Sequence, residues 1–113
     1  MDKHNRYRAL IQQLLREYAA YARRSPSPGT EILEIYDPKN DQFLIRDVGW
    51  SGHKRIRVTT LHVRLVGDKI HIEEDRTEEG IATDLMKAGV PSQDIVIAFH
   101  PPNLRQLTDF AVA

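Results

Sequence analysis

His62, His71 and Glu73 are the residues of this 113-residue chain whose types and spacing come nearest to a metal site. The two imidazoles fall on neighbouring predicted strands, and Glu73 lies two positions from His71, on the same face of its strand. Zinc or a divalent nuclease metal needs three or four converging ligands, and His-x-Glu on a strand supplies no defined spacing to a third. The alternative is that both histidines occupy the solvent face opposite Leu61, Val63, Ile70 and Ile72. Asp47, in Phe43-Leu44-Ile45-Arg46-Asp47-Val48-Gly49-Trp50, shares parity with Phe43 and Ile45 and is expected to face inward, paired with Arg55 or Arg57. A nuclease of the restriction-endonuclease type would add a second acid and a lysine at short spacing. Lys54 follows Asp47 with no Glu between them, so the pattern does not match.

Two other places offer recognition rather than catalysis. His100-Pro101-Pro102 with Arg105 is a rigid turn that could present imidazole and guanidinium to a carboxylate or phosphate, or could be a strand end closed by local bonds. Trp50, the single tryptophan, sits beside Ser51-Gly52, as a core plug or as an interface anchor. Lys3, Arg6, Arg8 and Arg16 of the first helix could lie along phosphates, but that helix also carries an apolar stripe and no helix-turn-helix partner follows it. Nucleotide-binding and serine-hydrolase glycine motifs are absent from the sequence.

The elements that must position these residues are legible from periodicity. Tyr7, Leu10, Ile11, Leu14, Tyr18, Tyr21 and Ala22 recur at spacings of three and four, predicting a long helix that Ser25-Pro26-Ser27-Pro28-Gly29 terminates. Four strands follow, over 32–36, 42–50, 55–66 and 69–74, with Asp37 to Asp41 and Gly67-Asp68 as hairpin turns. Ile56 and Val58 share one parity while Leu61, Val63 and Leu65 share the other, which predicts a bulge or a change of packing partner near Thr59 and Thr60. A second helix begins after Asp75 or Thr77, with Ile81, Leu85 and Ala88 inward, and stops at Gly89 and Pro91. Ile95 to Phe99 reads as a strand covered on both faces. Asn103 and Gln106 have capping-box spacing, with Leu104, Leu107 and Phe110 along a short last helix. The apolar ending Phe110-Ala111-Val112-Ala113 is expected to be packed, on its own core or at a subunit interface.

Composition narrows the function classes. Absence of cysteine excludes disulfides, thiolate nucleophiles and redox motifs, and a reducing, cytoplasmic setting is expected. No apolar run suits a signal peptide or membrane span. Formal net charge is zero, so strong nonspecific nucleic-acid binding through phosphate neutralisation is not expected, and DNA contact should be weak or indirect. Charge is nonetheless polarised: Lys3, Arg6, Arg8, Arg16, Arg23 and Arg24 face only Asp2 and Glu17 in the first 24 residues, while residues 67–113 are acidic.

Several segments together resemble a known family. Asp47-Val48-Gly49-Trp50, the strand from Arg55 to Val66, Thr77-Glu78-Glu79-Gly80-Ile81-Ala82, Ala88-Gly89-Val90-Pro91, Asp94 to Pro102, and Arg105 with Thr108 to Ala113 look like the XisI family, controlling factors for excision of the fdxN element in cyanobacteria. The resemblance covers nearly the whole chain. It implies a role in programmed DNA rearrangement and an XisH-like protein as companion, and it supplies no catalytic residues.

The sequence therefore predicts one α+β domain over residues 1–113: a long N-terminal helix packed on an antiparallel sheet of a four-strand meander plus a later strand, then a second helix and a short C-terminal helix or tail. The expected function is a non-enzymatic accessory or controlling factor that needs no cofactor, binds an XisH-like partner through surfaces near Trp50, His100 and Arg105, and self-associates as a homo-oligomer. The rival readings are a metal-dependent phosphodiesterase or nuclease using His62, His71 and Glu73, with His100 as a further candidate ligand, and a DNA-binding module built on the first helix.

Overall fold

The computed structural model describes residues 2–113. Its elements are α1 (Lys3–Ala22), β1 (Thr30–Asp37), β2 (Gln42–Ser51), β3 (Lys54–Val66), β4 (Lys69–Asp75), α2 (Ile81–Lys87), β5 (Ile95–Ile97) and α3 (Pro102–Arg105). The five strands form one sheet in sequence order, β1-β2-β3-β4-β5. The first four are antiparallel neighbours, as the three short turns at 38–41, 52–53 and 67–68 require. The fifth is parallel to β4, with Ile70, His71 and Ile72 opposite Ile95, Val96 and Ile97. The sheet is therefore mixed rather than antiparallel throughout: α2 returns the chain across the sheet before β5, and such a crossover delivers the next strand in the same direction.

Asp2 starts α1 by accepting a hydrogen bond from the Asn5 backbone N–H at 2.8 Å. Its buried row is Tyr7, Ile11, Leu15 and Ala19, one residue every four. Leu10, Leu14 and Tyr18 flank that row against the core, whereas Tyr21 is exposed. The helix is thus rotated toward Leu15 and Ala19 relative to the stripe the spacing predicts. Beneath it lie Phe43, Ile45, Leu61, Val63, Leu65, Ile70, Ile72 and Ile95, and α2 closes the layer with Ile81 and Leu85. Each large aliphatic side chain buried this way contributes about 1.5–3 kcal/mol.

A bulge falls where the parity of β3 changes. Ile45 pairs with Leu61 and Arg46 with Thr59, leaving Thr60 without a partner on β2. Both Ile56–Val58 and Leu61–Val63–Leu65 can then serve the helix-covered face. The Thr60 carbonyl is used by the Arg76 N–H at 2.9 Å. In β4, Glu73 is bulged in the same way, which brings Glu74 rather than Glu73 opposite His62.

Asp75 organises the approach to α2, accepting from Thr77 N at 2.9 Å, Thr77 Oγ1 at 2.6 Å and Ile81 N at 2.6 Å. The helix starts at Ile81 because those bonds hold Thr77 to Gly80 in a turn, and Ala88 lies beyond its end, exposed. Gly89, at φ +99°, makes the left-handed exit. At the C-terminus the predicted capping box does not form. Pro101 occupies the N-cap position, α3 lasts four residues, and Leu104 and Leu107 are exposed. Phe110 packs against the core and Ala111 is buried, bridged to Val96.

Candidate functional site

The sheet has two unlike faces. One carries the core beneath α1 and α2. On the other, the strand register aligns Ile35, Leu44 and His62 in one row, Leu33, Arg46 and Thr59 in the next, then Glu31, Val48 and Arg57, and finally Trp50 and Arg55. Among the described residues no element covers this outer face across β1, β2 and β3; Ile35 and Trp50 are 41% and 53% exposed. An open hollow between the strands is lined by Leu33, Ile35, Arg46, Val48 and Arg57.

Local backbone geometry sets Trp50 at the rim of this face. Gly49 (φ +150°) and Gly29 (φ +81°) approach so closely that a Cβ on Gly49 would sit 2.0 Å from the Gly29 carbonyl oxygen. The Trp50 N–H donates to that same oxygen at 2.9 Å. Arg55, opposite Trp50 in the register, stacks its guanidinium 5.3 Å from the indole ring and donates to the Gly49 carbonyl.

Positive charge on this face is unbalanced. Among the described residues no carboxylate lies within ion-pair distance of Arg46, Arg55 or Arg57. The Nε of Arg46 is buried and has no hydrogen-bond partner. A buried guanidinium N–H without an acceptor is costly unless something arrives to accept from it. The predicted pairing of Asp47 with Arg55 or Arg57 does not occur: Asp47 faces the α1 side, near Tyr18, while both arginines face the other way.

The histidine cluster is divided among ordinary partners. His62 Nε2 meets Gln42 Oε1 at 2.9 Å, and Glu73 pairs with Arg64 at 3.2 Å. Burial pushes both His62 and His71 below the usual imidazole range, against the opposing pull of Glu73. Among the described residues no three His, Asp or Glu side chains converge enough to hold a metal ion.

The His100 turn is a hook that the chain ties to itself. Arg105 donates to three carbonyls, those of His100 at 2.9 Å and of Ala98 and Val112 at 3.2 Å each. The His100 ring stands edge-on to Phe99, with centroids 4.8 Å apart, and its Nδ1 is buried without a partner. Lys69 donates to the Ala113 carbonyl and fixes the end of the chain. On α1, Lys3 pairs with Asp94 and Arg8 with Asp41, each at 2.8 Å, while Arg6 and Arg16 lie over the rings of Tyr7 and Tyr36. The helix cations are thus largely engaged within the molecule.

The XisI protein family model matches residues 1–112. The chain belongs to the XisI family. A solved XisI-like protein from Anabaena variabilis superposes on this family member with a TM-score of 0.91 at 31% identity, covering 97% of this chain and 99% of that one. The fdxN element excision controlling factor XisI from the same organism superposes with a TM-score of 0.87 at 37% identity, covering 99% and 100%. No curated protein shows significant similarity. Among the described residues of this XisI-family chain, no helix is long and apolar enough to cross a membrane.

Of the residues singled out from sequence, Trp50 stands on the open face, while His100 and Arg105 belong to the C-terminal hook beyond β5. Leu33, Ile35, Leu44, Arg46 and Val48 were not among them, and Arg57 was named only as a partner for Asp47. The signal was present: β1 and β2 carry apolar side chains at both parities, Ile32 with Leu33 and Phe43 with Leu44, and a strand apolar on both faces expects a cover on both.

Proposed function

We propose that this XisI-family chain is a non-catalytic controlling factor in the excision of a DNA element, acting by binding an XisH-like protein and regulating it. The observation that carries the reading is the outer face of β1–β3, uncovered among the described residues, which joins apolar side chains, Trp50 and arginines with no carboxylate partner among those residues. Such a combination is typical of an interface core with its arginine and aromatic anchors. Support also comes from family membership and from the 37% identical neighbour described as an excision controlling factor. His62 is bonded to Gln42 and Glu73 to Arg64, and among the described residues no metal-holding set forms around them.

Co-expression with an XisH-like protein from the same genome, followed by size exclusion with light scattering, tests this reading. A stable complex is expected. A chain that runs alone beside its companion, or that cleaves DNA by itself when supplied with manganese, overturns it. Exposure of Phe99, Leu104, Leu107 and Val112 around the hook favours self-association as an additional property, and the same scattering measurement reads it.

A further inference from the structure

We propose that the outer face of β1–β3 is a docking surface for an acidic, apolar segment of a protein partner. This rests on the partner-binding reading above and specifies where and by what chemistry the partner is held. Apolar side chains form the floor, with Ile35 opposite Leu44 and Leu33 and Val48 on the next two rows of the same face. Arg46 stands among them with its buried Nε unsatisfied, and Arg57 and Arg55 continue the positive charge along β3 to Trp50. Burying an apolar segment here lowers the local dielectric, so a carboxylate reaching Arg46 or Arg57 would form a stronger, charge-assisted bond than in water.

Charge selects among the occupants. A second copy related by a two-fold axis would bring Arg46, Arg55 and Arg57 against themselves, with only Glu31 on the same rows to offset them. Nucleic acid would satisfy the arginines but not the aliphatic floor, and a single aromatic side chain offers one stacking position where single-strand binders use several. An acidic segment with alternating apolar residues satisfies both features.

Trp50, the only tryptophan, makes the surface self-reporting. The experiment measures intrinsic fluorescence and anisotropy of the full chain with its co-expressed partner, with twelve-residue peptides of alternating Glu and Leu or Lys and Leu, and with a twenty-nucleotide oligo-dT. Arg57→Glu serves as the main variant, since Arg57 is exposed and, among the described residues, its side chain makes no ion pair. Ile35→Lys probes the floor. Circular dichroism confirms that both remain folded.

The expected result is partner binding weakened about tenfold or more by Arg57→Glu, with a shallower salt dependence, and binding of the Glu–Leu peptide but not the Lys–Leu peptide. If the partner binds wild type and both variants equally, and the Glu–Leu peptide does not bind, the surface is overturned while the partner-binding reading stands. If the partner fails to bind but the Glu–Leu peptide does, the reverse holds. Preferential binding of oligo-dT, or a wild-type dimer dissociated by Arg57→Glu, overturns the proposal in favour of nucleic acid or of a second copy.

Discussion

Tyr7 donates its hydroxyl to the carboxylate of Asp94 at 2.5 Å, joining the first helix to the start of the last strand across 87 residues of sequence. Lys3 reaches the same oxygen at 2.8 Å. Burial raises the Asp94 carboxyl, but Lys3 and Tyr7 outweigh it and hold the group below its usual range. Burial, and then the bond to Asp94, pushes the Tyr7 phenol up. A depressed carboxyl contributes stability above its unfolded pKa and loses it as pH falls through the folded value. Tyr7→Phe should therefore cost about 1–2 kcal/mol in urea unfolding at pH 7, and less in acid once Asp94 is protonated. Equal stability of the variant at pH 7 would show that the bond contributes nothing.

His4 gives the opposite pH dependence. Its Nδ1 meets the Gly67 carbonyl at 2.7 Å and its Nε2 meets Asp41 at 2.8 Å. Both partners are acceptors, so both nitrogens must donate, and that state is the imidazolium. The bonds to Asp41 and Gly67 accordingly raise the His4 pKa. The clip ties the start of α1 to the β1–β2 and β3–β4 turns. A raised pKa means full stabilisation below the unfolded value near 6.5, lost as pH rises through the higher folded value. For a partly exposed pair the effect is about 0.5–1 kcal/mol. His4→Gln should flatten the fall in thermal stability between pH 6 and 8, and an unchanged slope would remove His4 from the account.

Gly49 and Gly29 should be the least replaceable residues near the open face. A Cβ at position 49 meets three backbone atoms of the Gly29–Thr30 peptide, the nearest being the Gly29 oxygen at 2.0 Å, and no rotamer can relieve that contact. Gly49→Ala is expected to destabilise by about 3 kcal/mol or more, since the strain falls on the backbone. Gly67→Ala, with open space around its Cβ, should cost about 1 kcal/mol from its positive φ alone. Comparable losses in chemical denaturation would mean that the contact between β1 and β2 relaxes freely.

Periodicity carried most of the architecture because the core is one-sided for each helix and alternates along each strand. The bulge at Thr60 was readable as a change of parity between Val58 and Leu61, since only an extra residue lets both serve one face. Direction was not readable for Ile95 to Ile97: a short buried run looks the same parallel or antiparallel, and only the crossover through α2 decides it. Asp47 shows the same limit for charges. Its inward parity was correct, yet parity alone could not show that Arg55 and Arg57 turn to the opposite face. Arg105 looked like a recognition group because a guanidinium near a Pro-Pro turn can serve either a ligand or nearby carbonyls, and sequence does not report which carbonyls the hook will leave unpaired.

Those three carbonyls make Arg105 the subject of a prediction that separates structure from recognition. Its Nε and both Nη atoms serve His100, Ala98 and Val112 in different directions, which a planar fork can do and a single ammonium cannot. Arg105→Lys should therefore lose nearly as much as Arg105→Ala, about 1–3 kcal/mol, with faster hydrogen exchange confined to residues 98–113. Because the hook lies beyond β5 while the arginine-rich face spans β1–β3, partner affinity should change less than twofold in either variant. Loss of affinity with native exchange rates would instead make Arg105 a contact for the partner.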